Sequence, residues 1–278
     1  LKNQLINSVL LSDSNDNELK VQRETLDRYF SFLEKEDLIH YCTEETKGLF
    51  PDLPKFWDSY SLCQNFVIEL SKENLNNRNR LEHIIKALKC ENITLYITEN
   101  TDYLDHGGLK KWMQTINGLH NLSICITTSD FDKNIIKEFK DLKIFNSIIA
   151  YDANIEIHNE KCFVIEESNK ALIMPPNINL YMESQFYHPY YNGRVVVDFK
   201  GKLKNNLLSS EDFGQIFEIN NSEELKSIIQ SKQFRKLADM KRDLIDDCKY
   251  CEYRYCCMNS NLPRPTSTGL KLSKPCLQ

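Results

Sequence analysis

Five cysteines crowd the end of the chain, Cys248, Cys251, Cys256, Cys257 and Cys276, half of the ten in the sequence. Thiolates are metal ligands, and such density without a visible secretory signal points to a metal centre. The C-x2-C pair Cys248 and Cys251 sets two sulfurs within reach of one ion. A third sulfur at Cys256 or Cys257 and a fourth at Cys276 would complete four-coordination for zinc, or the corners of a [4Fe-4S] cube. Cys256 and Cys257 are adjacent, so their side chains diverge and one of them ligates; spacing leaves the choice open. The alternative, disulfides or thiols that merely lie close, fits poorly with a chain that stays in a reducing compartment. Four thiolates on either centre leave a net charge of about −2, which Lys249, Arg254, Arg264, Lys271 and Lys274 along the same stretch can offset.

Other candidate groups carry less chemistry. Asp105-His106-Gly107-Gly108 follows a strand, where ligands of parallel sheets tend to bind, but it lacks a phosphate-loop lysine and reads as a capped helix start. His188, inside an aromatic stretch with Phe186, Tyr187, Tyr190 and Tyr191, reads as a surface packing residue. Cys63, Cys90 and Cys125 read as small buried hydrophobes. No Ser-His-Asp, zincin or paired-carboxylate pattern stands out.

The elements that must position these residues follow a regular plan. The chain has 278 residues, enough for one large or two modest domains, with a net charge of −5. It has no basic run for phosphates and no apolar run long enough to span a bilayer, so neither nucleic acid nor membrane is an expected partner. It opens on Leu1 and not Met, which suggests that a preceding segment exists. Helical spacing at Leu26, Tyr29, Phe30 and Leu33, then a strand-like Leu38–Cys42, read as the end of a small helical module over 1–48, and 46–61 reads as a linker. Strands at Phe66–Leu70, Ile93–Thr98, Leu122–Thr127 and Phe145–Ala150 alternate with helices at 78–88, 108–118 and 131–141, the pattern of βαβ crossovers and a mainly parallel sheet. Beyond 155 the texture turns to short strands at Cys162–Ile165 and Ala171–Met174 and a hairpin over Arg194–Lys204 turning at Phe199–Gly201. A helix capped by Ser222 and a second over 232–246 lead into the cysteines.

The tail Cys248-x2-Cys251-x5-Cys257, with the preceding helix and the hairpin YNGRVVVDFKGKLKNN, resembles the SPASM domain of radical SAM peptide-modifying enzymes. Together with LFPDL, FW, the four βα units, FGQI and CKYCEYRYCC, nearly the whole chain resembles the SPASM-domain peptide maturases of grasp-with-SPASM systems, found beside ATP-grasp ligases. The resemblance implies an α/β fold: a partial radical-SAM-like (βα) barrel or open parallel sheet over 62–155, a SPASM domain over 156–278, and over 1–48 a partial winged-helix module that binds peptide by strand addition. It implies one cluster site on Cys248, Cys251, Cys257 and Cys276, favouring Cys257 over Cys256, and the loss of a second site whose places hold Tyr190, Asn206 and Asn261. The C-x3-C-x2-C triplet of a working radical SAM enzyme is missing; residues 69–80 carry no cysteine. The expected function is therefore accessory: binding a precursor peptide, an ATP-grasp ligase or both in the cytoplasm, with one four-cysteine metal centre, [4Fe-4S] or Zn2+, and no S-adenosylmethionine. A homo-oligomer is compatible with this. The rivals are an iron-sulfur oxidoreductase acting on the peptide and a zinc-stabilised interaction module.

Overall fold

The computed structural model describes residues 16–39, 42–49, 57–59, 61–98, 104–127, 134–150, 162–164, 174–175, 177–274 and 276. Two compact units divide at Pro54/Lys55. In the first, helix α1 (Asp16–Lys35) is followed by the short helix α2 (Glu44–Gly48). Leu26, Phe30 and Leu33 are half-covered, but Tyr29 is exposed. The strand expected at Leu38–Cys42 does not form at Leu38, Ile39 or Cys42; His40 and Tyr41 lie outside the described residues. The expected linker starts inside α2, and the rest of it is described only in part.

The second unit is built on one sheet. Its strands are β1 (Asn65–Glu69), β2 (Asn92–Ile97), β3 (Asn121–Ile126), β4 (Phe145–Ala150), β5 (Cys162–Val164), β6 (Arg194–Val197) and β7 (Leu203–Lys204), in the spatial order β5-β4-β3-β2-β1-β6-β7. All neighbours pair in parallel except β6 and β7, which form the expected hairpin. Between the strands lie α3 (Lys72–Asn76), α4 (Arg78–Ala87), α5 (His106–Thr115) and α6 (Asn134–Phe139). The architecture is α/β with an open, mostly parallel sheet.

From β1 to β5 each strand is added on the same side of the last. Crossovers of one hand that always step the same way place their helices on one face. That face is apolar: Phe66, Ile68, Leu95, Ile97, Ile124, Ile126, Ile148 and Ala150 join Leu81, Ile85, Trp112, Met113, Ile135 and Phe139 in one core. The opposite face is polar. There Thr94 Oγ1 donates to Asn65 Oδ1 at 3.1 Å, Thr98 Oγ1 donates to Glu69 Oε1 at 2.8 Å, and the Ser123 and Ser147 hydroxyls share a 3.0 Å hydrogen bond.

Helix α7 (Ile178–Phe186) lies between β5 and β6, and past β7 come a 3-10 turn (Ile216–Glu218), α8 (Ser222–Gln230), α9 (Lys232–Arg235), a second 3-10 turn (Arg242–Leu244) and the small ribbon β8 (Pro263–Pro265) and β9 (Leu270–Leu272). Several expectations are corrected here. The boundary at 155/156 separates no compact units, because β6 pairs with β1 and Lys55–Gln278 forms one body. The helix over 232–246 is broken after Arg235. Ser222 is the first helical residue, and the cap is Asn221, whose side chain accepts from Glu224 N. Met174 lies outside any strand; residues 171–173 lie outside the described residues. Among the described residues no helix is long and apolar enough to cross a membrane.

Candidate functional site

The cysteine tail has little regular structure. Its apolar cluster is small, Ile245, Cys248 and Leu272 backed by Leu270 and Cys276, and it is separate from the sheet core. Tight turns fold the chain back on itself: Cys248 N donates to Ile245 O at 2.9 Å and Cys251 N to Cys248 O at 2.9 Å, so the C-x2-C pair sits on one turn. The strand β9 returns Cys276 to the same place. Cys248, Cys251, Cys257 and Cys276 all line one small cavity of about 20 Å³, together with Arg242, Asp247, Tyr253 and Arg254.

Cys256 does not line that cavity; its thiol faces Tyr253 O at 3.4 Å. The neighbours therefore diverge as adjacent side chains must, and Cys257 is the one turned to the other three. Cys248, Cys251, Cys256, Cys257 and Cys276 are all free thiols. Among the described residues, no group of three or more His, Cys, Asp or Glu side chains is set to hold a metal ion. The arrangement is a convergence of four thiols on a shared volume.

Arg242 organises this convergence, and the sequence reading missed it. It is 2% exposed, and its Nε donates to Cys257 O at 3.0 Å, its Nη2 to Asn259 O at 2.8 Å and its Nη1 to Cys248 Sγ at 3.5 Å. Burial pushes the Cys248 thiol up, and Arg242 opposes the rise. Burial also pushes Cys276 up, with Cys257 adding to the rise and Arg242 working against it. Asn259 Nδ2 reaches Cys276 Sγ at 3.7 Å. Of the basic residues expected to offset thiolate charge, Arg254 lines the cavity while its Nη1 donates to Cys251 O at 2.9 Å. Lys249 pairs with Asp246 at 2.9 Å, and Lys274 faces elsewhere. Asp247 is held away from ligation at one oxygen, which accepts Leu272 N at 2.7 Å.

The donor set suits a soft or borderline cation. Burial favours the protonated thiols of Cys248 and Cys276 over bare thiolates, and a bound cation would replace those protons. Two guanidinium groups beside the sulfurs suit the residual negative charge of a four-thiolate centre.

His188 is not on the surface. It is 0% exposed, its ring lies 4.5 Å from that of Tyr191, and neither ring nitrogen has a partner among the described residues. Asp105 caps α5 as expected, accepting from Gly108 N at 3.0 Å. A Cβ on Gly108 would collide with the Asp105 carboxylate, so the second glycine permits the cap.

A second cavity, of about 480 Å³, opens at the carboxyl ends of the parallel strands on the polar face. Glu69, Thr98, Thr127 and Asp198 at or just past the ends of β1, β2, β3 and β6 line it, and Ser260–Leu262 and Ser273–Lys274 of the cysteine tail face it from the other side. Tyr190, Asn206 and Asn261, the three places assigned by resemblance to a lost second cluster, all line this one cavity. The sequence carried a signal for it: in Ile93–Thr98 and Leu122–Thr127 every second residue is Thr, Tyr, Ser or Cys, whereas parallel strands buried on both faces read as continuous apolar runs. No protein-family model matches the chain, and neither the curated proteins nor the solved structures yield a match.

Proposed function

We propose that this chain is an accessory protein in the maturation of a ribosomally synthesised peptide, stabilised by one metal centre on Cys248, Cys251, Cys257 and Cys276 and without S-adenosylmethionine chemistry. The observation that carries the reading is the meeting of these four thiols around one cavity, since they are the cysteines that the SPASM resemblance selects from ten. Four protein sulfurs leave no open coordination position, so the centre is structural. A cavity of about 20 Å³ is the size of a single small occupant, which favours zinc over a cluster. The sheet, the tail as a SPASM-like module and the helical unit Leu1–Pro54 as the remainder of a peptide-binding module belong to this reading together.

Elemental analysis and optical spectra of anaerobically purified protein test the centre. One zinc per chain without absorbance in the visible range is the expected result; a reducible iron-sulfur cluster would turn the reading toward the oxidoreductase. Cys257→Ser should abolish metal retention and Cys256→Ser should leave it intact; the reverse result, or no bound metal at all, removes the proposed ligand set. Co-purification with the precursor peptide and the ATP-grasp ligase tests the role, and a chain that captures neither is not a maturation protein.

A further inference from the structure

Glu69, Arg194, Asp198, Lys204 and Lys274 all line the sheet-mouth cavity. Lys274 is exposed to solvent, and the two charges that are at least half-buried without an ionic partner among the described residues are Glu69 and Arg194. Glu69 is 8% exposed, and among the described residues its carboxylate accepts from neutral donors alone, Thr98 Oγ1 at 2.8 Å and Phe199 N at 2.9 Å. Arg194 lies half-buried with its guanidinium 4.2 Å from the centre of the Tyr190 ring and close enough to Tyr191 to act on its hydroxyl, and among the described residues its side chain makes no hydrogen bond or ion pair. Asp198, by contrast, is matched: Lys204 lies 3.2 Å away, and the amides of Lys200 and Lys202 donate to it. Asn206 is 3% exposed, with Oδ1 accepting Leu208 N at 3.2 Å and Nδ2 without an acceptor among the described residues.

An unmatched charge in a partly desolvated site is costly unless something arrives to match it. Guanidinium groups held on an aromatic face are preorganised to grip a carboxylate with two donors, and a buried amide without an acceptor is a further donor awaiting one. A ligand bearing only an anion would satisfy Arg194 and Asn206 but would be repelled by Glu69. A ligand bearing only a cation would leave Arg194 unmatched. A cavity of about 480 Å³ falls within the usual range for ligand sites, about 300–1,000 Å³, and the carboxyl ends of parallel strands are where such sites form.

We propose that this cavity binds a small dipolar ligand, an ammonium and a carboxylate carried by one peptide or amino acid, with Glu69 taking the ammonium and Arg194 and Asn206 the carboxylate. The site stands on these three residues and does not depend on the metal centre or on the maturation role. The two charges come either from the free ends of a short peptide or from the side chains of a longer one.

Titration calorimetry on the full chain with three probes separates these sources: triglycine with free ends, acetylated and amidated Lys-Gly-Glu, and acetylated and amidated triglycine. Binding of a charged probe but not of the neutral one is expected; preference for the first assigns the free termini, preference for the second the side chains. Glu69→Gln and Arg194→Gln should each weaken the charged probe at least about tenfold, as loss of one charge-assisted contact does, with Arg194→Lys between. Asn206→Asp, which keeps the shape and adds a carboxylate at the anion end, should weaken it as well, and unchanged unfolding midpoints establish that recognition and not folding was lost. Equal binding of the neutral probe, no binding of either charged probe at millimolar concentration, or undiminished binding by Glu69→Gln and Arg194→Gln would overturn the proposal.

Discussion

A guanidinium as buried as Arg242 needs protein acceptors, and it finds them on two segments of the tail, at Cys257 O and Asn259 O, while facing the Cys248 sulfur. Arg242→Met would leave both carbonyls unpaired at about 1–3 kcal/mol each and would strip a positive charge from the thiols. Urea unfolding should register that loss together with a lower metal content. Arg242→Lys, a point charge without the planar fork, should restore part of the metal content and little of the stability; a lysine variant as stable as the native chain would show that charge alone is needed. His188 makes a separate prediction. Burial, and then the charge of Arg242, hold its imidazole well below the usual histidine range. The unfolded chain takes up this proton at about pH 6.5 and the folded chain only in more acidic solution, so protons favour unfolding in between. The contribution to stability is fully present above about pH 6.5 and is lost progressively as the pH falls from there toward the depressed folded value. His188→Phe should lose less stability than the native chain between pH 7.5 and 5.5, measured by thermal unfolding. Both proteins carry the cysteine quartet, so its own acid sensitivity cancels; equal losses would mean that His188 is protonated in the fold.

At the scale of elements, the sequence is most legible where apolar runs and turn residues agree. Strands β1 to β4 and helices α4, α5 and α6 lie within a few residues of their expected places, because each run must cover the same core, whereas the short α3 was not foreseen. The hairpin turn is legible too. Gly201 has φ +75°, and a Cβ there would collide with the Phe217 ring. Gly201→Ala should therefore destabilise the fold by more than about 1 kcal/mol, seen as a lower denaturation midpoint; an unchanged midpoint would mean that the turn can adopt another form. Helix α7 was illegible, since the side chains it buries are Glu183 and Ser184 and apolar periodicity does not show it. Its start was written in Asn177, whose side chain accepts from Leu180 N at 2.9 Å. The break in 232–246 was illegible for a tertiary reason. In a continuous helix Arg242 N would donate to Ala238 O, but His188 N, more than one element away, takes that carbonyl at 2.7 Å. His188 itself misled because its aromatic neighbours suggested a surface, and Arg242 was hidden within an apparent helix.

In the second unit, strands β1 to β5 step in one direction while β6 and β7 extend the sheet on the other side of β1, one face is covered by helices and the other is polar, and the cysteine tail closes over the mouth of that polar face. The approach of Cys248 and Cys251 on one turn was legible in the C-x2-C spacing; the cavity was not, because its walls come from strand ends and tail residues far apart in the chain. This arrangement makes the cysteine quartet and the cavity neighbours through the tail: Cys257 precedes the lining segment Ser260–Leu262, and Ser273–Lys274 precede Cys276. The tail's own apolar cluster among the described residues has three buried members, so on the proposed reading cross-linking by a metal would supply much of its order. Treatment with a chelator should therefore release amide protection at Asp246, Cys251 and Leu272, whose N–H groups now donate to Leu270 O, Cys248 O and Asp247 Oδ2. Amides of β1 to β4, held in the parallel ladders, should exchange as slowly as before, since their core is separate. Hydrogen exchange read by mass spectrometry, with and without chelator, resolves the two regions. Loss of protection throughout the unit would mean that the sheet also depends on the centre, and unchanged protection in the tail would mean that the thiols hold no structural metal.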